Sequence, residues 1–140
     1  MRLLFLCTGN SCRSQMAEGY ARQWAPPGWE VYSAGVRADG MNPRTIAAMD
    51  EVGVDIRGQH SKTVDAVPWE DLDLVVTLCG HAAAACPALP PHAEHRHWPI
   101  EDPARAWGDA EAVMGAYRTA REEIKGRVES LVGELAGRDR

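Results

Sequence analysis

The residues best equipped for chemistry lie in one short run, Cys7-Thr8-Gly9-Asn10-Ser11-Cys12-Arg13-Ser14. An apolar stretch, Arg2-Leu3-Leu4-Phe5-Leu6, delivers Cys7, and a helical pattern follows Ser14. Gly9 can take backbone angles closed to other residues, and Asn10 tolerates them better than most. A loop of this kind can curl until successive amides point inward and form an anion nest. Arg13 adds a planar fork that matches two oxygens of a tetrahedral anion. A thiol ringed by donors, beside a guanidinium, is favoured as the nucleophilic thiolate. Ser14 can give its hydroxyl proton to the Cys7 sulfur, which favours that form further. The loop would therefore both bind an oxyanion and attack it. A free cysteine at a strand end is more often a small buried hydrophobe, but here strand, Gly, Asn, Arg, Ser and helix fall in order. The lysine of a nucleotide phosphate loop, G-x-x-x-x-G-K-[ST], is missing.

A second pair of cysteines is Cys79 and Cys86. Leu72 to Leu78 is an apolar run that ends on Cys79-Gly80, much as the first run ends on Cys7. In a parallel sheet both ends share the carboxyl edge, so Cys79 could approach Cys7. On a regular helix the seven residues from Cys79 to Cys86 would span about 10 Å along the axis. A disulfide needs Cα atoms about 4.4–6.8 Å apart, so a helix there must unwind before the two can bond. Gly80 and the alanines Ala82 to Ala85 suit such melting. A carboxylic acid over the anion site could protonate a departing oxygen, and Asp102 is the candidate. Its place before Pro103 also makes it a helix N-cap, and the two roles can coexist. Cysteine gaps of five and seven do not resemble the C-x₂-C pairs of structural zinc sites. His95 and His97 share a strand face but have no acidic or cysteine partner at obvious spacing, so with His92 they read as surface or edge residues. No metal site is expected from these residues.

Positioning these groups requires a β-strand before each of them. The spacing predicts strands over Arg2 to Cys7, Trp29 to Ala34, Leu72 to Leu78 and Glu94 to Trp98. Helices are expected over Gln15 to Trp24, over Arg44 to Val52 with Pro43 at the first turn and Gly53 as cap, and over Asp109 to Leu135. A turn of helix is expected at Trp69 to Leu72, and His81 to Ala85 has a helical composition. Strands alternating with helices argue for an α/β fold: one domain over residues 1–140, with a central parallel four-stranded sheet and helices on both faces.

The 140-residue chain is long enough for one real core. A formal net charge of -5, without blocks of like charge, argues against nucleic acid as a partner. No apolar run approaches ~20 residues, so no membrane span is expected. The first strand begins at once, leaving no room for a cleaved leader, and a cytoplasmic location follows by default. Four cysteines in such a chain are more often catalytic or metal-binding than structural.

The run from Cys7 to Ser14 resembles the anion loop of low-molecular-weight protein tyrosine phosphatases. It is still more similar to that of thioredoxin-coupled arsenate reductases, which share the fold. Thr77-Leu78-Cys79-Gly80 with Cys86-Pro87, and Trp98-Pro99-Ile100-Glu101-Asp102-Pro103, resemble the reductases' other two motifs. The phosphatases' late Asp-Pro-Tyr-Tyr segment does not occur here. The rival reading is a tyrosine phosphatase whose extra cysteines protect Cys7.

The resemblance implies a reaction. Cys7 would attack arsenic while Asp102 protonates the departing hydroxyl. Cys79 would then attack the Cys7 sulfur, releasing arsenite and leaving a Cys7–Cys79 disulfide. Cys86 would attack Cys79, free Cys7 and leave Cys79–Cys86 for thioredoxin to reduce. A thiolate stabilised by its surroundings is the better leaving group, which suits Cys7 to that displacement. Thr8, Gly9, Asn10, Ser11, Cys12, Arg13 and Ser14 would hold arsenate, with phosphate or sulfate as analogues. Cys12 would be a bystander. The expected protein is a monomer with weak phosphatase activity and no tightly bound cofactor. Some family members bind potassium at positions similar to Asn10, Glu18 and Ser33. The further carboxylate expected after His60-Ser61 falls on Thr63, with Asp65 two residues on, so potassium dependence is in question.

Overall fold

The computed structural model describes residues 1–78 and 90–138. Four strands form one parallel sheet: β1 (Arg2–Cys7), β2 (Glu30–Gly35), β3 (Leu74–Thr77) and β4 (Glu94–His97), in the order β2-β1-β3-β4. The register pairs Cys7 with Gly35 and Leu6 with Thr77. Chain order reverses across β1, since β2 lies on one side and β3 on the other. In open α/β sheets the ligand crevice opens outside the carboxyl ends at such a switch point. Cys7 stands there.

The central strand explains itself. Leu3, Leu4, Phe5 and Leu6 are all fully buried, as expected for a parallel strand covered on both faces. Each such side chain contributes about 1.5–3 kcal/mol. Leu3 and Phe5 join one core cluster with Met16 and Tyr20 of α1 (Arg13–Trp24), Ala48 and Met49 of α2 (Pro43–Asp50), and Ile124 and Val128 of α3 (Ala110–Arg138). Leu4 and Leu6 face the other way and pack with Ala34, Val67, Leu72 and Val75. That second face is covered by 3₁₀ turns at Val64–Ala66 and Trp69–Asp71, from which Val64 and Trp69 reach the cluster. Among the described residues, all three α-helices thus lie on one face and short turns on the other. The edge strand β4 is mostly exposed and carries Glu94, His95, Arg96 and His97, a charged edge that resists further strand pairing.

Boundaries shift by small amounts from the pattern. α1 starts at Arg13 rather than Gln15, because the Met16 N–H already bonds the Cys12 carbonyl at 3.0 Å. α2 ends at Asp50, short of Val52; Asn42 caps its start by accepting from the Arg44 N–H at 2.9 Å. β3 is two residues shorter at its start and one at its end than the apolar run Leu72 to Leu78. Gly80, the expected helix from His81 to Ala85, and Cys79 and Cys86 lie outside the described residues. No helix among the described residues is long and apolar enough to cross a membrane.

Candidate active site

The loop after β1 turns on Asn10, whose φ of 48° is the only positive value at a non-glycine residue among those described. Asparagine is one of the few side chains that visits this region readily. It does so here because its side chain is tied down on both atoms. Asn10 Nδ2 donates to Ser14 Oγ at 2.8 Å and to Ser33 Oγ at 2.9 Å. Asn10 Oδ1 accepts from Gln15 Nε2 at 3.0 Å and from the Lys62 N–H at 2.9 Å. Asn10 is fully buried, so each of these bonds replaces one that water would make.

Gly35 lets the next strand close onto this loop. A Cβ there would fall 2.8 Å from both Asn10 N and Thr8 O, too near for any side chain. The segment after it clasps the loop from outside: Arg37 N–H bonds Thr8 O at 3.1 Å, and Asp39 N–H bonds Gly9 O at 2.9 Å.

Cys7 is buried, with its sulfur 2.8 Å from Ser14 Oγ. Because Ser14 Oγ accepts from Asn10, its own proton is free to turn toward the Cys7 sulfur. A hydrogen bond to the thiolate stabilises that form. Cys12 differs: burial pushes its thiol up, toward the protonated form. A buried protonated thiol is a poor nucleophile, and nothing among the described residues around it marks it for a step.

Arg13 opens α1, a helix with no side-chain cap and no acidic residue in its first turn. An uncapped helix start favours a bound anion. The guanidinium is only 6% exposed. Its Nη1 donates to the Ile100 carbonyl at 3.0 Å, and its Nη2 lies 3.5 Å from Asp102 Oδ2. Its Nε is buried with no hydrogen-bond partner among the described residues. Leaving a charged donor unpaired and dry is costly unless something arrives to accept from it. The same cleft is lined by Cys7, Thr8, Ser11, Arg13 and Asp102, with Arg37 at the rim. A tetrahedral oxyanion fits that combination of donors.

Asp102 accepts from the Ala104 N–H at 3.0 Å and so caps the 3₁₀ turn Pro103–Arg105. Its second oxygen faces Arg13 across the cleft. Thr8, Gly9, Ser11, Cys12 and Arg13 line the cleft, whereas Asn10 and Ser14 hold the loop from beneath and do not line it. Glu18 and Ser33 lie under the loop too, where Ser33 Oγ donates to Glu18 Oε1 at 2.5 Å. His95 and His97 turn onto Thr77 Oγ1, at 3.2 and 2.6 Å.

Several participants went unseen in the sequence. Arg37 and Asp39 form an ion pair at the cleft mouth, at 2.8 Å. Gln59 Nε2 donates to Gln15 Oε1 at 2.8 Å, and Ser61 Oγ to Gly9 O at 3.2 Å. These lie far along the chain, in a segment without periodicity. The bridge between Gly35 and Thr63, with the Gly35 N–H on the Lys62 carbonyl at 2.9 Å, brings the Gln59–Ser61 stretch under the loop.

A cysteine at the switch point of a four-stranded parallel sheet, facing an arginine with an unspent donor, defines a class of thiol enzymes for oxyanions. The chain belongs to the low molecular weight phosphotyrosine protein phosphatase family, whose pattern it matches over residues 2–139. Within that family it is similar to an arsenate reductase of Bacillus subtilis (strain 168), at 51% identity over 129 residues, 92% of this chain and 93% of the relative. It superposes with a TM-score of 0.78 on an arsenate reductase in the phosphate binding state, 36% identical, covering 95% of this chain and 97% of that one. A thioredoxin-dependent arsenate reductase of Corynebacterium glutamicum is 28% identical, with a TM-score of 0.72 over 96% of this chain and 61% of that one.

Proposed function

We propose that this chain reduces arsenate to arsenite, with Cys7 as nucleophile and Arg13 as the anion's anchor. The observation that carries the reading is the buried Arg13 Nε, without a hydrogen-bond partner among the described residues, in the cleft that Cys7 lines. Names among its relatives select arsenate from the tetrahedral oxyanions that would fit.

The Cys7 thiolate attacks arsenic(V), a sulfur–arsenic bond forms, and one hydroxyl leaves as water with a proton from Asp102. The Cys79 thiolate then attacks the Cys7 sulfur. The sulfur–arsenic bond breaks, its electron pair goes to arsenic, and arsenite departs as arsenic(III). Two thiols have supplied the two electrons and become a Cys7–Cys79 disulfide. Cys86 displaces Cys7 from Cys79, and the dithiol of thioredoxin reduces Cys79–Cys86. The steps given to Cys79 and Cys86 rest on the sequence pattern and on the likeness to a thioredoxin-dependent relative. No tightly bound cofactor enters the scheme. Slow hydrolysis of aryl phosphates is expected from the same loop, since attack on phosphorus needs only Cys7, Arg13 and Asp102.

The test is a free-thiol count and disulfide map of the reduced protein after arsenate, with phosphate as control. Loss of two thiols with arsenate alone, and Cys79–Cys86 as the main bridge, is the expected result. Four intact thiols after both anions would favour a phosphatase instead. In Cys79→Ser, repeated arsenate turnover should vanish while hydrolysis of an aryl phosphate persists; surviving turnover would sink the relay.

A further inference from the structure

Beneath the Cys7 loop lies a closed cluster that the proposed reaction does not use. Glu18 is only 3% exposed. Its Oε1 accepts from Ser33 Oγ at 2.5 Å, and its Oε2 accepts from Arg22 Nε at 2.7 Å. Lys62 reaches the same Oε1, with Nζ 3.8 Å away, and donates from Nζ to the His60 carbonyl at 2.8 Å. The Lys62 side chain is only 13% exposed, unusual for a residue whose charged end normally stays in water.

These residues include the three positions, Asn10, Glu18 and Ser33, at which the family resemblance implies potassium. The residues present do not fit that ion. Both acceptor sites of Asn10 Oδ1 are taken, by Gln15 and by the Lys62 N–H. Ser33 Oγ accepts from Asn10 and spends its proton on Glu18. The remaining oxygens, Glu18 Oε1 and the His60 carbonyl, both face the Lys62 ammonium. A potassium ion placed among them would meet a like charge in a poorly solvated site, where repulsion is strong. The carboxylate that the resemblance led one to seek near Thr63 is matched by its opposite: one residue earlier, the chain carries a cation of its own.

We propose that the Lys62 ammonium is the built-in monovalent cation of this cluster, and that it serves as a positioning residue for Cys7. The connection to Cys7 is continuous. Lys62 holds Glu18, Glu18 orients Ser33, Ser33 accepts from Asn10, Asn10 donates to Ser14, and Ser14 faces the Cys7 sulfur at 2.8 Å. Lys62 also grips Asn10 directly through its backbone N–H, so one residue holds the chain of bonds at Glu18 and again at Asn10. Its covalent attachment keeps the amine in place, and the protein indifferent to potassium. The inference rests on Cys7 being the nucleophile but not on arsenate being the substrate.

The experiment compares wild type, Lys62→Gln and Lys62→Asp in potassium chloride and choline chloride at equal ionic strength. Two readouts are used: the melting temperature, and the rate at which iodoacetamide modifies the peptide carrying Cys7, followed by mass spectrometry. Wild type should behave alike in the two salts. Lys62→Gln should melt roughly 3–8 °C lower and modify at Cys7 roughly three- to tenfold more slowly. Lys62→Asp, which restores a carboxylate, should recover melting temperature and Cys7 reactivity in potassium but not in choline. A wild type that potassium stabilises over choline would overturn the proposal. So would Cys7 reactivity in Lys62→Gln equal to wild type in both salts. Neither readout involves arsenate, so a failed arsenate assay would leave this test intact.

Discussion

Two buried arginines, 6% and 9% exposed, have opposite surroundings. Arg121, on α3, spends its donors within the protein. Its Nη1 bonds the Ala48 carbonyl at 2.9 Å and Glu51 Oε1 at 2.7 Å, and its Nε bonds Glu122 at 2.7 Å. It fastens α2 to α3. Among the described residues, Arg13 has one carbonyl bond, a carboxylate at 3.5 Å, and a buried Nε with no partner. Burial alone therefore does not separate a structural arginine from a functional one. The difference lies in a charged donor left unspent beside an open cleft, a cost that a bound anion would offset.

Replacing each arginine should break the comparison in a different place. Arg13→Lys keeps the charge but loses the fork and the second donor. We expect kcat/KM for arsenate and for an aryl phosphate to fall by about 10²–10³-fold, with little change in melting temperature. Activity within a few-fold of wild type would mean that the unspent donor does not hold the anion. Arg121→Met should show the reverse. It strands the Ala48 carbonyl and removes one cation from Glu51, costing about 1–3 kcal/mol by urea denaturation. The kcat/KM of the folded fraction should stay at the wild-type value, and a parallel loss of activity would show that the two regions are coupled.

How much of this was legible in the sequence follows the same division. The cleft's own residues were readable because a strand, a turn and a helix start follow one another without a gap. Left-handed Asn10 and the uncapped start of α1 are local features that residue types disclose. The support beneath was not readable. Lys62 meets Asn10 across 52 residues, and the segment that carries it has no period to betray which side chains turn inward. Arg121 was hidden for another reason. It interrupts the apolar stripe of α3 between Ala120 and Ile124, where a charged residue reads as solvent-facing. Glu51, just past the end of α2, together with the Ala48 carbonyl and Glu122, makes its burial tolerable. Long-range polar pairing is thus what pattern alone misses, in the site and in the scaffold alike.

Glu51 gives the mildest and most specific check on the scaffold side of the comparison. It accepts from Arg118 and Arg121, and those bonds lower its pKa from an ordinary 4.5 to about 2. A carboxylate whose pKa is depressed by folding adds stability that is fully present above its unfolded value. That contribution is lost as pH falls from about 4.5 through about 2. Glu51→Gln removes the titrating group. The variant should therefore melt slightly below wild type at pH 6, and the gap should close progressively between pH 4.5 and pH 2. Added salt should narrow the gap at pH 6, since Glu51 and Arg118 are partly exposed to solvent. A gap that stays constant down to pH 2 would show that Glu51 acts through packing and not through its charge.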